Sequence, residues 1–314
     1  MTRPSAVPPP IIGIIGPTAS GKTDLALALA QRLPVEVLVA DSRQVYRGMD
    51  VGTAKPDATA RAVVPHHLLD LVDPDEGFTV ADWLERARRL LPDVASRGRL
   101  PMVVGGTGLY VEALLQGHDY VSQGWSPELR ADLTRRLEVE GLEPLVAELE
   151  ALDPSTAARV DRRNPRRVLR ALERSIAGGG GPPPVAAPFA GRVVLIGLSR
   201  PRQELYRRID RRAHELFDRG LVEEVATLLA RGYGPELRPM TGHGYREAAG
   251  ILAGEWTREE AIAVTATRTR QYAKRQLTWF RREPRIVWLA AGAHEGDDAE
   301  LVDEADRIIR AAIA

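Results

Sequence analysis

Gly16, Pro17, Thr18, Ala19, Ser20, Gly21, Lys22 and Thr23 fit the phosphate-binding pattern G-x-x-x-x-G-K-[ST] at every fixed position. The chemistry of such a loop is to hold an anion. Backbone N–H groups and the positive end of the following helix surround a phosphate, Lys22 adds a compact charge, and the Thr23 hydroxyl can ligate Mg²⁺. Two further polar positions are candidates to face that cradle. Asp41, Ser42, Arg43 and Gln44 offer a carboxylate, a hydroxyl, a guanidinium and an amide in succession, and Thr107 stands between glycines in VGGTG. A carboxylate facing a phosphate site acts as a general base or as an outer ligand of Mg²⁺. The competing readings are structural: Asp41 as the cap of a turn, and Thr107 as the N-cap of a helix.

Of 43 basic residues only Lys22, Lys55 and Lys274 are lysines. Arginine's planar fork cannot replace a compact ammonium in a tight pocket, which accounts for Lys22 and singles out the other two. Residues 159–174 carry seven arginines against two acids, and residues 268–285 seven basic residues against one acid. Both stretches have the composition of polyanion sites. In the second, Arg268, Tyr272, Arg275, Trp279 and Arg282 recur at spacings of four and three, along one helical face. That pattern suits phosphate contact with base stacking, or an amphipathic helix whose aromatics are core. The pair His66-His67 has no further ligands spaced with it and reads as structural.

The elements that must carry these groups alternate strand and helix. Residues 11–15 and 35–40 are apolar runs of buried-strand length, and the loop residues lead from the first into an alanine- and leucine-rich helix over 24–33. Asp41 therefore ends a strand, at the rim where open α/β sheets bind ligands. Residues 45–56 read as a loop folded over the site. Thr79 with Asp82 starts a helix to about Ser96, 99–105 is a strand, and a helix runs to Leu115. Residues 117–190 lack a strand; Ser126-Pro127 and Asp153-Pro154 are helix starts with proline at N1, and 178–184 (GGGGPPP) is a linker by composition. A strand returns at 192–198, then helices over 201–220 and 221–232, a helix capped by Thr257 and Glu260 and running to about Arg281, a strand at 286–289 and a helix over 297–314. The expected fold is α/β: a P-loop NTPase-like core with a parallel sheet flanked by helices in 1–116 and 191–314, plus a helical insertion domain in 117–190.

Length and composition agree with this. A chain of 314 residues exceeds the usual single domain, and 44% hydrophobic with 27% charged residues is ordinary for a globular enzyme. Net charge is zero, so no global field marks a polyanionic partner. The absence of cysteine excludes disulfides, thiolate nucleophiles and cysteine-ligated clusters. The first ten residues lack the apolar core of a signal peptide and no run reaches membrane-span length, so the expectation is a cytoplasmic protein without a membrane partner.

GPTASGKT at 16–23, ADSRQVYRGMDVGTAKP at 40–56, PHHLLDLVDP at 65–74, VVGGTGLY at 103–110, DP at 153–154 followed by NPRRVLRALE at 164–173, and TRTRQYAKRQLTWFR at 267–281 closely resemble the bacterial tRNA dimethylallyltransferases, also called tRNA isopentenyltransferases. The resemblance runs in order from Ile11 to Trp288. It implies transfer of a dimethylallyl group from dimethylallyl diphosphate to N6 of adenosine 37 in tRNAs reading codons that start with U, leaving N6-isopentenyladenosine and diphosphate. By the same resemblance, Gly16 to Thr23 hold the diphosphate with Mg²⁺ near Thr23, Asp41 is the catalytic carboxylate, and Thr107 helps position the substrates. The tRNA-contacting positions it implies are Asp41, Ser42, Arg43 and Gln44, then Arg130, then Arg166, Arg167, Val168, Leu169 and Arg170, and finally Lys274, Arg275, Gln276, Leu277, Thr278, Trp279, Phe280 and Arg281. The expected partners are the tRNA anticodon stem-loop and dimethylallyl diphosphate, with the protein acting as a monomer. Residues 240–247 (MTGHGYRE) resemble the family's glycine-tyrosine-basic motif only in part.

The rivals are a small-molecule kinase using ATP, which the phosphate loop alone fits equally well, and a nucleotide-binding module without chemistry. Against the kinase, VVGG lacks the carboxylate of a magnesium-binding strand end. Against the module, Asp41 and Thr107 are both expected to face the loop.

Overall fold

The computed structural model describes residues 8–117, 126–177, 188–292 and 298–313. The glycine–proline stretch at 178–184 lies outside them. The chain divides into two compact units, one of residues 1–116 with 189–314 and one of residues 117–188.

The larger unit opens with β1 (Ile11–Ile15), α1 (Lys22–Ala30), β2 (Val35–Ala40), α2 (Ala58–Val63), β3 (His66–His67), α3 (Val80–Ser96), β4 (Leu100–Gly105) and α4 (Gly108–Gln116). The smaller unit is α5 (Pro127–Glu140), α6 (Glu143–Leu152), α7 (Pro154–Ala157) and α8 (Pro165–Ile176). The larger unit resumes with β5 (Val193–Ser199), α9 (Arg202–Asp218), α10 (Leu221–Ala230), α11 (Tyr245–Leu252), α12 (Arg258–Phe280), β6 (Ile286–Ala290) and α13 (Asp298–Ile313).

The six strands form one parallel sheet in the order β3-β2-β4-β1-β5-β6. Its central strands are buried on both faces, as near-continuous apolar runs require in a parallel sheet. β4 inserts between β1 and β2, so these consecutive strands are not neighbours. The ends of three strands therefore bring the phosphate loop, Thr107 and Asp41 to one rim, with Thr107 in the middle. α1 and α13 cover one face of the sheet through Leu25, Leu29, Leu301 and Ile309. Near β2, Trp83 donates its indole N–H to Val39 O (2.9 Å) and stacks on Tyr110 with centroids 4.8 Å apart. Both expected capping boxes are formed, by Thr79 with Asp82 and by Thr257 with Glu260.

The polar residues of the buried sheet explain the histidine pair. Glu36 on β2 accepts from Arg97 (3.0 and 2.7 Å) and pairs with His67 Nε2 (2.7 Å), and these bonds, Arg97 foremost, hold its carboxyl down at about 2. His66 Nδ1 bonds Val64 O at 2.8 Å. The pair is structural.

The smaller unit packs Leu133, Leu145, Leu149, Val168, Leu169 and Leu172 into its own core. Ser126 and Asp153 cap α5 and α7 ahead of their prolines. Buried Glu173 takes the guanidinium of Arg130 (Nη2 to Oε2, 2.7 Å) as well as Arg170 (3.3 Å).

Candidate active site

The loop after β1 turns into α1 through Gly21, whose φ of 98° belongs to the left-handed region. Ala19 also has a positive φ, 62°, which costs an alanine about 1 kcal/mol. Two arginines, one just after β5 and one within α9, hold this conformation: Arg200 Nε donates to Ser20 O (2.9 Å) and Arg208 Nε to Ala19 O (3.1 Å). Lys22 donates to Pro17 O at 2.7 Å. Burial, with Arg212 nearby and only partly offset by Asp41, lowers the Lys22 ammonium to about 8. An anion supplied to this place relieves that repulsion.

A cavity of about 470 Å³ opens onto the loop. Lys22, Thr23 and Arg212 line it at the loop, and Asp41, Tyr272 and His243 line it as well. Arg212 on α9 has no hydrogen bond or ion pair with any described residue, and burial lowers its pKa against the favourable field of Asp41. A guanidinium without a hydrogen bond or ion pair beside a phosphate loop is free to receive an anion. Arg208 and Arg212 were not among the sequence-derived site residues; the only available signal was their basic type on a helix four residues apart, which many solvated helices share.

Asp41 performs the turn-cap role and keeps chemistry in reserve. Its Oδ1 accepts from Arg43 N (2.8 Å) and Gln44 N (3.3 Å), while Oδ2 receives no hydrogen bond from a described residue. Thr107 is beside the lining residues: its hydroxyl accepts from Ser42 N (3.0 Å) and lies close to the Tyr272 hydroxyl. Burial, with the Asp41 charge, pushes the Tyr272 phenol up to about 12, so it stays protonated.

Helix α12 is docked against this rim at two glycines. A Cβ on Gly106 would lie 2.2 Å from Gln276 Nε2, and one on Gly108 2.3 Å from Trp279 Cδ1. Gln276 accepts from Thr18 N (2.8 Å) and donates to Gly106 O (2.9 Å), so one buried amide ties the phosphate loop to the turn carrying Thr107. The loop over 45–56 is fixed as firmly. Lys55 Nζ donates to Tyr46 O (2.5 Å), Asp50 (2.7 Å) and Asp70 (2.5 Å). Glu224 accepts from the backbone of Asp50, Val51 and Gly52 and from the Tyr245 hydroxyl (2.6 Å).

Several positions expected to touch tRNA are otherwise engaged. Gln276 is the brace just described, Val168, Leu169 and Phe280 are buried, and Leu277 packs beside the cluster of Leu205, Ile209 and Ala273. Arg130 is held by Glu173. Arg43 Nη1 donates to the carbonyls of Arg238 (2.8 Å) and Pro239 (2.5 Å) rather than facing solvent. Gln44 donates to Thr53 O at 3.1 Å. Arg166, Arg167, Lys274, Thr278 and Arg281 are exposed, Trp279 is 38% exposed, and exposed Arg275 lies over the Tyr272 ring at 5.8 Å. Arg282, expected on the same helical face, falls beyond the end of α12. In the smaller unit, Arg159, Arg166, Arg167, Arg170 and Arg174 line a concavity of about 440 Å³.

Among the described residues no group of three His, Cys, Asp or Glu side chains could hold a metal, and no helix is long and apolar enough to cross a membrane.

A parallel α/β sheet with a phosphate loop at one strand end and a carboxylate beside it defines a P-loop protein of the NTPase-like class. Residues 44–283 match the family described as IPP transferase, and residues 10–69 the family described as isopentenyl transferase, and the chain belongs to this family. It is 44% identical over 285 residues to the tRNA dimethylallyltransferase of Heliobacterium modesticaldum, covering 89% of both chains. The full-length tRNA isopentenylpyrophosphate transferase of Bacillus halodurans superposes with a TM-score of 0.72 at 39% identity over 96% of each chain. A eukaryotic dimethylallyltransferase acting on tRNA gives a TM-score of 0.80 at 26% identity, over 96% of this chain and 80% of its own.

Proposed function

We propose that this chain transfers the dimethylallyl group of dimethylallyl diphosphate to N6 of adenosine 37 in the tRNA anticodon loop. The observation that carries the reading is the shared cavity, lined both by the cationic pair Lys22 and Arg212 and by Asp41. An exocyclic adenine amine is a poor nucleophile because its lone pair is delocalised into the ring. Asp41 Oδ2 takes the amine proton as the C–N bond forms, while Oδ1 stays in the turn and fixes the carboxylate's direction. Thr107, oriented by Ser42 N–H, steadies the acceptor beside it. Lys22, Arg212 and the loop amides stabilise the charge that collects on the departing diphosphate. The base enters the cavity by leaving its stack.

Mg²⁺ fits this site as a partner of the diphosphate. Thr23 and Asp24 line the cavity, so the ion would take a ligand from Thr23 and most of the remainder from diphosphate and water, as Mg²⁺ commonly does. When bound it supplies further charge neutralisation on the leaving group. Exposed Arg166, Arg167, Lys274, Arg275 and Arg281 contact RNA phosphates, Trp279 offers a stacking face, and the enzyme acts as a monomer.

The test is incubation with labelled dimethylallyl diphosphate, Mg²⁺ and undermodified tRNA, followed by nucleoside analysis. N6-isopentenyladenosine is the expected product. ATP-dependent phosphorylation of a small molecule, without prenylated tRNA, would establish the kinase instead.

A further inference from the structure

His243 lines the same cavity, yet it belongs neither to the anion site nor to the turn that holds Asp41. It lies in the segment whose match to the family motif is partial. Its loop is clamped to the Asp41 turn, because Arg43 Nη1 grips the carbonyls of Arg238 and Pro239. A Cβ on neighbouring Gly242 would stand only 3.1 Å from that same nitrogen. The imidazole meets the Tyr272 ring edge-on, with centroids 5.5 Å apart and planes at 62°. Tyr272 in turn lies close to Thr107, so His243 is one ring away from the group set beside Asp41. Neither imidazole nitrogen has a hydrogen-bond partner among the described residues.

The electrostatics fix what this ring can offer. Burial, with Arg43, Arg275 and Arg268 around it, holds the imidazole down at about 4. At neutral pH it therefore carries one N–H donor and one lone pair, and no charge. A neutral donor adds little to a diphosphate site already supplied with Lys22 and Arg212. It matches the edge of an uncharged heterocycle, and bases drawn out of a stack are read on their hydrogen-bonding edges.

We propose that His243 reads the acceptor base, its N–H donating to a ring nitrogen of the target purine and turning the exocyclic amine toward Asp41. This rests on the transfer reaction proposed above. An aromatic ring that merely filled space beside Tyr272 would be replaceable by phenylalanine. A donor to a purine nitrogen is not, since a site built to hydrogen-bond a substrate atom discriminates against the analogue that lacks it.

The experiment uses the full chain and anticodon stem-loop RNAs carrying adenosine, 1-deaza-, 3-deaza- or 7-deazaadenosine at the target position. Single-turnover prenylation rates are compared for wild type, His243→Phe and His243→Gln. Each analogue's own effect on amine reactivity cancels in the ratio between enzymes, which leaves the coupling between His243 and one ring nitrogen. For one of the three analogues the wild type is expected to lose about 10-fold against adenosine, a loss of the size of one hydrogen bond. His243→Phe loses about as much on adenosine and is then indifferent to that analogue, whereas His243→Gln, which keeps a donor, keeps the discrimination. Dimethylallyl diphosphate affinity stays within about 2-fold of wild type in both variants, because His243 lies off the anion site. The proposal is overturned if His243→Phe matches wild type on adenosine, or if its losses multiply with those of all three analogues. It is equally overturned if diphosphate affinity falls in step with rate, which is the mark of a collapsed cavity wall. If His243→Phe does not fold, His243→Gln and the wild-type profile decide, and equal wild-type rates on all three analogues overturn the proposal. Failure of the wild type to prenylate the adenosine stem-loop instead removes the underlying reaction.

Discussion

Asp41 has two oxygens with separable duties, and substitution can divide them. Oδ1 accepts from two backbone N–H groups at 2.8 and 3.3 Å, and Oδ2 has no hydrogen bond with a described residue. Asn at this position keeps an acceptor for the turn but cannot take a proton. Asp41→Asn is therefore expected to unfold in urea within about 0.5 kcal/mol of wild type. Proton transfer to a positioned base contributes about 10²–10⁴-fold in rate, or about 2.7–5.4 kcal/mol of barrier at 1.36 kcal/mol per tenfold. The variant should lose at least about 10²-fold in single-turnover prenyl transfer while binding tRNA and diphosphate within a few-fold of wild type. Asp41→Ala removes both duties. It should show the same rate loss and a further stability loss of about 1 kcal/mol, the usual cost of a missing side-chain cap. The assays are denaturant unfolding and rapid-quench kinetics on the same preparations. A well-folded Asn variant with near wild-type single-turnover rates would refute the base assignment. Matched losses of stability and rate in both variants would leave Asp41 as a turn cap alone.

Gln276→Leu strands the Thr18 N–H and the Gly106 carbonyl in a buried setting, so unfolding free energy should fall by about 2–6 kcal/mol, at about 1–3 per unpaired group; a loss below about 0.5 kcal/mol in urea titrations would show that the brace is redundant. Diphosphate binding requires charged Lys22, whose pKa near 8 lies below the ordinary 10.5, so affinity should decline as pH rises through 8 and binding should take up a proton there. The same depression costs the unliganded protein stability below pH 8, and that cost is relieved as pH rises from 8 to 10.5, where the unfolded chain holds a proton that the folded chain has lost; calorimetry in two buffers showing no proton uptake on binding near pH 8 refutes the first expectation, and an unfolding free energy that does not rise across that window refutes the second. Arg166→Ala with Arg167→Ala should lower the slope of log affinity for tRNA against log salt by about 1–2 and leave dimethylallyl diphosphate binding unchanged, and an unaltered slope would return these arginines to solvent. Lys55→Arg should destabilise by about 1–3 kcal/mol through overpacking, measured by thermal or urea unfolding, and a neutral result would mean that the pocket yields.

The parts of the site that were legible in the sequence are those written in local chemistry. The phosphate loop, the helix starts at Thr79, Ser126, Asp153 and Thr257, and the rim positions of Asp41 and Thr107 each follow from a few adjacent residues. Strand order was not legible, because an apolar run that becomes a buried strand carries no mark of its neighbour; hence β4 between β1 and β2. The tertiary partners of long polar side chains were hidden for a similar reason. Arg43, Arg130 and Gln276 sit in segments that resemble RNA-contacting motifs, but their bonds go to Arg238 and Pro239, Glu173, and Thr18 with Gly106, over separations that no local pattern encodes. The short helices α2 and α11 escaped notice because six and eight residues are too few for a periodic signal.

With all but three of its 43 basic residues arginine, the chain has in effect carried out a lysine-to-arginine scan on itself. Lys274 survives in the open, where either residue serves. Lys55 survives where three oxygens on Tyr46, Asp50 and Asp70 converge on one nitrogen, a socket with the size of an ammonium. A thermostabilisation campaign that swaps lysine for arginine across such a protein has nearly exhausted its targets before it begins. The two sites it must leave alone, Lys22 and Lys55, are the two that fix the anion cradle and the loop beside it.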